Sequence, residues 1–442
     1  MVGEWKHNSK PIYLPTAYGN LPQGWSWSRL DDICDGVYDC PHSTPALTSF
    51  GPYVVRTQDI ITGIFRVDQA GHVSEGTYIE RISRVTPAPG DLLYSREGTY
   101  FGIAAEVPSN VRVCLGQRMV LMRPHSQRLN SRYLRYWLNS PVMAAHIHGF
   151  RDGSVAERLN LPTIRALAVL VPPLPVQMRI AHILGMLDDQ IELNQRMSKT
   201  LEEMARALFK SWLIDFDPVR AKAKGRKPEG MDAATAKLFP SSFEDSALGR
   251  IPKGWRVGKL SDVAIITMGQ SPQGETFNED GNGIVFYQGR AEFGWRYPTR
   301  RLFTTDPKRM AQANDVLMSV RAPVGDINVA NEACCIGRGL SSIRSKNGQS
   351  SFMLYAMVSL KEQLDVYDGE GTVFGCINKD ALGGLKILIP PESVMIAFEM
   401  KARYLDSMIF TKSMQSRNLG TLRDTLLPRL LSGGCFTSVG NL

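Results

Sequence analysis

The chain repeats its own opening. LPQGWSWSRLDDI at residues 21–33 is answered by IPKGWRVGKLSDV at 251–263, with a Pro, a Gly, a Trp, a Leu and an Asp in identical register. Further echoes follow in the same order. Asp91-Leu-Leu-Tyr-Ser95 matches Asp315-Val-Leu-Met-Ser319, and Cys114-Leu-Gly116 matches Cys335-Ile-Gly337. Tyr136 and Tyr355 sit on matching helical stretches, 132–139 and 351–358. Val155 and Asn160 pair with Val373 and Asn378, and LAVLVPP at 167–173 pairs with LKILIPP at 385–391. The separation falls from 230 residues at the Trp pair to 218 at the end. Apolar segments keep register while the stretches between them shorten, as expected of two copies of one domain whose loops diverge over a retained core.

Each copy reads as short strands (PYVVRT, RVCLGQRMVLMR and LAVLV, then GIVFYQG, DVLMSV and LKILI) with one helix late in the unit. β-Branched residues and Gly/Pro punctuation support mixed domains. After each Pro-Pro the texture changes. Residues 177–212 contain neither Pro nor a turn cluster. Apolar residues recur there at steps of four and three: Ile180, Leu184, Leu187, Ile191, then Leu201, Ala205, Leu208 and Trp212. Such a seam needs a partner helix, which the second copy offers at Leu405, Ile409, Leu419, Leu422, Leu426 and Leu430. Gly420 and Pro428 suggest that this second helix bends or stops early. Thirty-six helical residues reach about 54 Å at about 1.5 Å each, so the pair would be a rigid spacer.

The fold class expected is therefore α+β: two repeated mixed α/β domains separated by two long antiparallel, coiled-coil-like helices. The boundaries expected are an N-terminal extension (1–20), a first domain (21–173), a long helix (174–214), a linker (215–250), a second domain (251–391), a C-terminal long helix (392–431) and a tail (432–442). The basic stretch DPVRAKAKGRKPEG (217–230) reads as an exposed, solvated connection.

Composition narrows the class. The hydrophobic fraction is 43% and the charged fraction 21%, which suits a globular chain. No apolar run approaches the roughly 18–20 residues of a membrane span, and the first fifteen residues lack a secretory apolar core. Seven scattered cysteines with no CxxC pair argue for reduced thiols in the cytoplasm, without a disulfide frame or a zinc site. A net charge of +8 favours polyanionic partners.

Catalytic signatures are missing. There is no GxxxxGK[ST] phosphate loop and no HExxH. All seven histidines lie at or before residue 182, and His146 and His148 read as surface residues. No Asp/Asn-Pro-Pro-aromatic tetrad occurs, which methylation of an adenine amino group would need. The Glu-x-Lys triplets at 4–6 and 399–401 lack the Pro-Asp of a metal-dependent nuclease. A chain without its own chemistry is expected, binding no metal and no cofactor.

Binding is better represented. FYQGRAEFGWRYPTRRLFTTDPKR (286–309) carries six basic residues against two acidic ones, interleaved with aromatics. Arg290, Arg296, Arg300 and Arg301 suit phosphates or guanine edges, and Gln288 suits adenine. The bland alternative is a charged hairpin with its aromatics in the core. Ser271 and Gln273 precede this stretch. The first copy offers Ser43 and Thr44 in a polar turn, then Arg56, Gln58, Arg96, Gln117 and Arg118, with Arg321 and Arg338 as relatives in the second copy; Arg338 also reads as a buried structural residue.

The block PLPVQMRIAHILGMLDDQIELNQRMSKTLEEMARALFKSWLIDFDPVRAK (174–222), with GDINVANEACCIGRGLSSIR (325–344), SPQGETFNEDG (271–281) and the two GW openings, resembles the specificity subunit of type I restriction-modification systems from 21 to 431. Val176 stands where that family usually carries an acidic residue, and Ser393-Val394-Met395 has lost the family's Gln; both departures bear on docking of a partner at the helix start. The resemblance implies two target recognition domains, each reading half of a bipartite, asymmetric double-stranded DNA site, with the helix pair fixing the gap. It implies two methylation subunits docked on the helices, carrying S-adenosylmethionine, and motor-nuclease subunits using ATP and Mg. The alternatives are a protein-binding scaffold and a self-sufficient restriction endonuclease.

Overall fold

The repeated PxGW is a turn. Trp25 N–H donates to Pro22 O and Trp255 N–H to Pro252 O, both at 3.1 Å. Gly24 and Gly254 take φ of +81° and +83°, a conformation that glycine enters without a Cβ penalty. Both tryptophans then bury, at 9% and 3% exposure. These details come from a computed structural model that describes residues 21–61, 63–148, 158–368 and 375–434, with the backbone strands Glu4–His7 and Lys10–Tyr13. Val155, Val373, Cys435 and most of the 1–20 extension and 432–442 tail lie outside the described residues.

After the turn, Ser26–Arg29 pairs antiparallel with Ala168–Val171, and Arg256–Lys259 with Lys386–Ile389. The register repeats: Arg29 opposes Ala168 as Lys259 opposes Lys386. The LAVLV and LKILI echoes are thus strands that return the end of each copy to its beginning.

Each copy holds a four-stranded sheet of the same order. In the first it runs Cys34–Asp39, Met119–Pro124, Leu92–Ser95, Ala104–Glu106; in the second, Ala264–Met268, Leu340–Ser345, Val316–Ser319, Ile327–Val329. Beside it lies a parallel pair, Val54 against Cys114 and Phe286 against Cys335. The glycine after each of these cysteines marks a close approach, because a Cβ on Gly116 would sit 2.5 Å from Val55 O and one on Gly337 2.8 Å from Gln288 O. The other echoes are also structural. Asp91 takes a bidentate ion pair from Arg123, and Asp315 one from Arg344. Asn160 and Asn378 cap short helices by accepting from Thr163 N–H and Ala381 N–H.

The long helices are Leu174–Leu213 and Glu392–Leu431, 40 residues each, or about 60 Å at about 1.5 Å per residue. The chain divides into two compact units whose boundaries fall inside both helices: Met1–Glu192 with Ser416–Leu442, and Leu193–Gln415. Each unit thus owns one domain, the first half of one helix and the second half of the other. Within the second unit the helices run antiparallel, Asn194 bonding Gln415 at 3.2 Å and Phe209 meeting Phe398 ring to ring at 5.4 Å. Within the first, Ile180 and Leu184 share a core with Leu427, Leu430 and Leu431. No described helix is long and apolar enough to cross a membrane.

Four expectations need correction. The second helix continues through Gly420 and Pro428 to Leu431, its last turns held by Leu427, Leu430 and Leu431 in that core. The apolar seam is only partly buried: Ile180, Leu184, Ala205, Trp212, Ile409 and Leu430 are buried, and Leu201, Leu208, Leu405 and Leu426 pack half-buried against the cores, but Leu187, Ile191 and Leu419 are half-buried and Leu422 is 46% exposed. The middle of the first helix buries Asp188, Asn194, Ser198 and Glu202 instead, so polar pairing supplements the apolar stripe there. The 215–250 connection is not simply exposed. It folds as the helices Asp217–Ala223 and Ala233–Lys237 and the hairpin Phe243–Ser246/Gly249–Pro252, with Val219 and Phe239 buried in the second core beside Trp212 and Trp255. Finally, the helix-start Gln, whose loss in the second copy the resemblance ties to docking, turns inward in the first copy, as Gln177. It is fully buried, accepts from Asn130 N–H, and donates to Arg128 O and Pro172 O; Met395 buries at the matching site in the second copy.

Candidate nucleic-acid interface

Strand ends gather the polar residues of each copy into one cluster. In the first copy four chain segments meet: the turn after Cys34–Asp39, the end of Thr48–Val55, the end of Leu92–Ser95, and the bend after Val113–Leu115. Gly116 N–H donates to Val55 O at 2.8 Å. Thr44 Oγ1 donates to Gln117 Oε1 at 2.8 Å, and Gln117 Nε2 to His42 O at 3.1 Å. Arg96 N–H donates to Arg118 O at 3.0 Å. Ser43, Thr44, Arg56, Arg96, Gln117 and Arg118 are thereby brought together, with Gln58 exposed just beyond Arg56.

The second copy gathers its set by the same backbone logic. Gly337 N–H donates to Tyr287 O at 2.8 Å, Gly339 N–H to Gln288 O at 3.3 Å, and Arg338 N–H to Ser271 Oγ at 3.3 Å. Val320 N–H donates to Gly339 O at 2.9 Å, carrying Arg321 alongside. Ser271, Gln288, Arg290, Arg321 and Arg338 converge, and Gln273 is exposed next to Ser271. The ladders also correct the matching of the copies. Arg96 corresponds to Val320 and Arg118 to Gly339, while Arg338 takes the place of Gln117.

Most of these arginines are already held by carboxylates. Arg56 pairs with Asp59 (3.1 Å), Arg96 with Asp39 (3.0 Å), Arg118 with Glu97 (3.2 Å) and Arg290 with Asp326 (2.5 Å). Arg300 pairs with Glu332 and Arg301 with Glu292, each at 2.6 Å. A guanidinium has five donors, so a carboxylate on one edge fixes the direction of the other. Arg321 and Arg338 are exposed with no carboxylate partner among the described residues, which removes the buried alternative for Arg338.

Arg296 is a correction. It is 6% exposed and donates to Asp406 and, at 3.3 Å, to Tyr355 Oη. Burial opposes its charge, but Asp406 and the neighbouring groups more than restore it, raising the pKa. It is a structural ion inside the second unit. Its acceptor belongs to a repeated pair: Tyr136 donates to Asp188 at 2.6 Å and Tyr355 to Asp406 at 2.8 Å. Asp188 also binds Arg135 and Arg423, at 2.8 and 2.9 Å. The reading of the sequence missed these aspartates, although LDDQI (187–191) and LDSMI (405–409) repeat 218 residues apart.

One group of described residues has metal-ligand character: Asp39, Cys40 and His42, whose ligand atoms lie within 4.8 Å of one another. Arg96 already occupies Asp39 and burial pushes the Cys40 thiol pKa up, so cation and thiolate are both opposed there.

Two repeated α/β domains with long helices and clustered polar strand ends define a class, and comparison with known proteins supplies the family. Residues 22–203 and 252–396 match the type I restriction modification DNA specificity domain. The chain belongs to that family, whose work is DNA-sequence recognition. It is 28% identical to the type I restriction enzyme MjaX specificity subunit of Methanocaldococcus jannaschii, over 95% of this chain and 96% of that one. It is 26% identical to the type I restriction enzyme HindI specificity subunit of Haemophilus influenzae, over 78% and 86%. The fold is shared with the crystal structure of the S subunit of a type I system from M. genitalium, at a TM-score of 0.58, 14% identity, and coverage of 95% and 98%.

Proposed function

We propose that each polar cluster reads one half of a bipartite, asymmetric DNA site. The reading rests on one observation: two copies converge the same four chain segments, through matching backbone hydrogen bonds, onto a cluster of Arg, Gln and Ser side chains. In the first copy Ser43, Thr44, Arg56, Gln58, Arg96, Gln117 and Arg118 face the duplex. In the second Ser271, Gln273, Gln288, Arg290, Arg321 and Arg338 do so, with Arg300 and Arg301 as flanking phosphate contacts. Paired arginines are aimed at base edges, and Arg321 and Arg338 supply unpaired charge to the backbone.

The long helices set the unread gap and dock two methylation subunits along faces not used by their own cores. The chain itself is non-catalytic and works in a cytoplasmic complex. S-adenosylmethionine belongs to the methylation subunits, and ATP and Mg to motor-nuclease subunits. The test is a map of methylated adenines in DNA from cells expressing this chain with its methylation subunit, against cells with that subunit alone. A split motif seen only with this chain supports the reading. A motif indifferent to the chain sinks it.

A further inference from the structure

Behind the first cluster lies a buried arginine that none of the foregoing uses. Arg81 ends the helix Glu75–Arg81 and is 5% exposed. Tyr78 of that helix packs with Val54, Val73 and Cys114, which fixes the helix on the parallel strand pair. From there the guanidinium reaches the back of the 41–44 loop. Its Nε donates to Leu115 O at 2.8 Å, its Nη1 to Ser43 Oγ at 3.2 Å, and its Nη2 to Pro41 O and Ser43 O at 3.3 and 3.2 Å. None of these acceptors is a carboxylate.

One planar fork therefore joins the loop carrying Ser43 and Thr44 to the strand end that leads into Gln117 and Arg118. Gln117 fastens the front of the same loop through Thr44 and His42. A lysine could not do this, because a single ammonium on a flexible stem lacks the rigid, spread donors of a guanidinium. In the second copy the corresponding loop is tied by backbone donors, Arg338 N–H to Ser271 Oγ and Gln270 N–H to Ile336 O.

We propose that Arg81 is a positioning residue for DNA recognition: without touching the duplex, it holds the 41–44 loop in the one geometry that reads the first copy's half-site. The inference rests on the reading above, that this cluster contacts DNA. Base discrimination depends on donors and acceptors held in place before binding, so loosening the loop should blur one half-site alone.

The experiment maps adenine methylation for the complete complex carrying Arg81→Met, Arg81→Lys or Gln288→Ala, the last to identify the half read by the second copy. Both Arg81 variants should relax discrimination in the other half by roughly tenfold or more, the scale of one lost base contact, and leave the half altered by Gln288→Ala unchanged. An unchanged motif in both Arg81 variants, or equal relaxation of both halves, overturns the proposal. Should Arg81→Met fail to fold, Arg81→Lys, which keeps the charge and one donor, decides it by the same two outcomes. Absence of any split motif with the unaltered chain would instead remove the underlying reading.

Discussion

In the first unit, Tyr136 and its helix neighbour Arg135 both reach Asp188, and Arg423 joins them. In the second, Tyr355 reaches Asp406, but position 354, the counterpart of Arg135, is a buried leucine. Arg296, from a different part of the domain, provides the cation instead, with Glu202 a further 3.8 Å away. The tyrosine and the aspartate are inherited by the repeat, whereas the charge that balances them arrives from non-equivalent positions. A buried carboxylate must be paired, but the route by which its partner arrives is free.

That comparison can be broken most directly at its centre. Asp188→Ala should destabilise the first unit by about 3–5 kcal/mol, because it strands Arg135 and leaves Arg423 short of its partner. Asp406→Ala should cost the second unit a similar amount through Arg296. Hydrogen exchange read by mass spectrometry should place each loss in its own unit; a loss spread evenly over both would refute the independence of the two charge centres.

The helix starts offer a smaller contrast. Gln177→Met orphans Asn130 N–H, Arg128 O and Pro172 O, a cost of about 1–3 kcal/mol by the scale of one unsatisfied buried group. Met395→Gln should also destabilise, because it puts an amide into an apolar site. Denaturant midpoints check both, and a stabilising Met395→Gln would show that polar partners are waiting in the second copy.

The paired turns give a finer graded test. Gly24→Ala and Gly254→Ala both place a Cβ at positive φ, costing about 1–2 kcal/mol. Gly24→Ala should be the worse, since its Cβ would lie 3.3 Å from Pro173 Cγ, while nothing lies within 4 Å at Gly254. Equal losses would mean that the backbone term alone matters.

The least effect is in pH. Burial acts to raise the Asp188 pKa, but the hydrogen bonds from Tyr136 and Arg423 and the adjacent guanidinium charges outweigh it and hold the carboxyl below its ordinary value. Its contribution is therefore fully present above the unfolded pKa of about 3.9 and is lost as pH falls through the lower folded value. Asp188→Asn should flatten that part of the acid limb of the first unit's stability, measured by thermal unfolding between about pH 5 and pH 2; an unchanged acid limb would place its origin in other carboxylates.

Much of the frame was legible because repeats expose it. The PxGW turns, the closing strands, the Cys-x-Gly close approaches and the two long helices all follow from local rules of φ, strand alternation and helical periodicity, and two copies reveal which residues those rules require. Ser43, Thr44, Gln117, Ser271, Gln288 and Arg338 were legible for the same reason, as polar residues at strand ends. What the sequence could not decide was which arginine turns inward. Arg296 sits in the same basic stretch as Arg290 and Arg300, and no local pattern separates them. Only the packed domain brings Asp406, 110 residues later, to one of them and leaves the others at the surface. The inward burial of Asp188, Asn194 and Glu202 along the first long helix was likewise settled by their partners in space, because a buried charge or amide is stable only where its counterpart already waits. Periodicity along one chain finds the elements; complementarity between chain segments far apart in sequence chooses what each residue does.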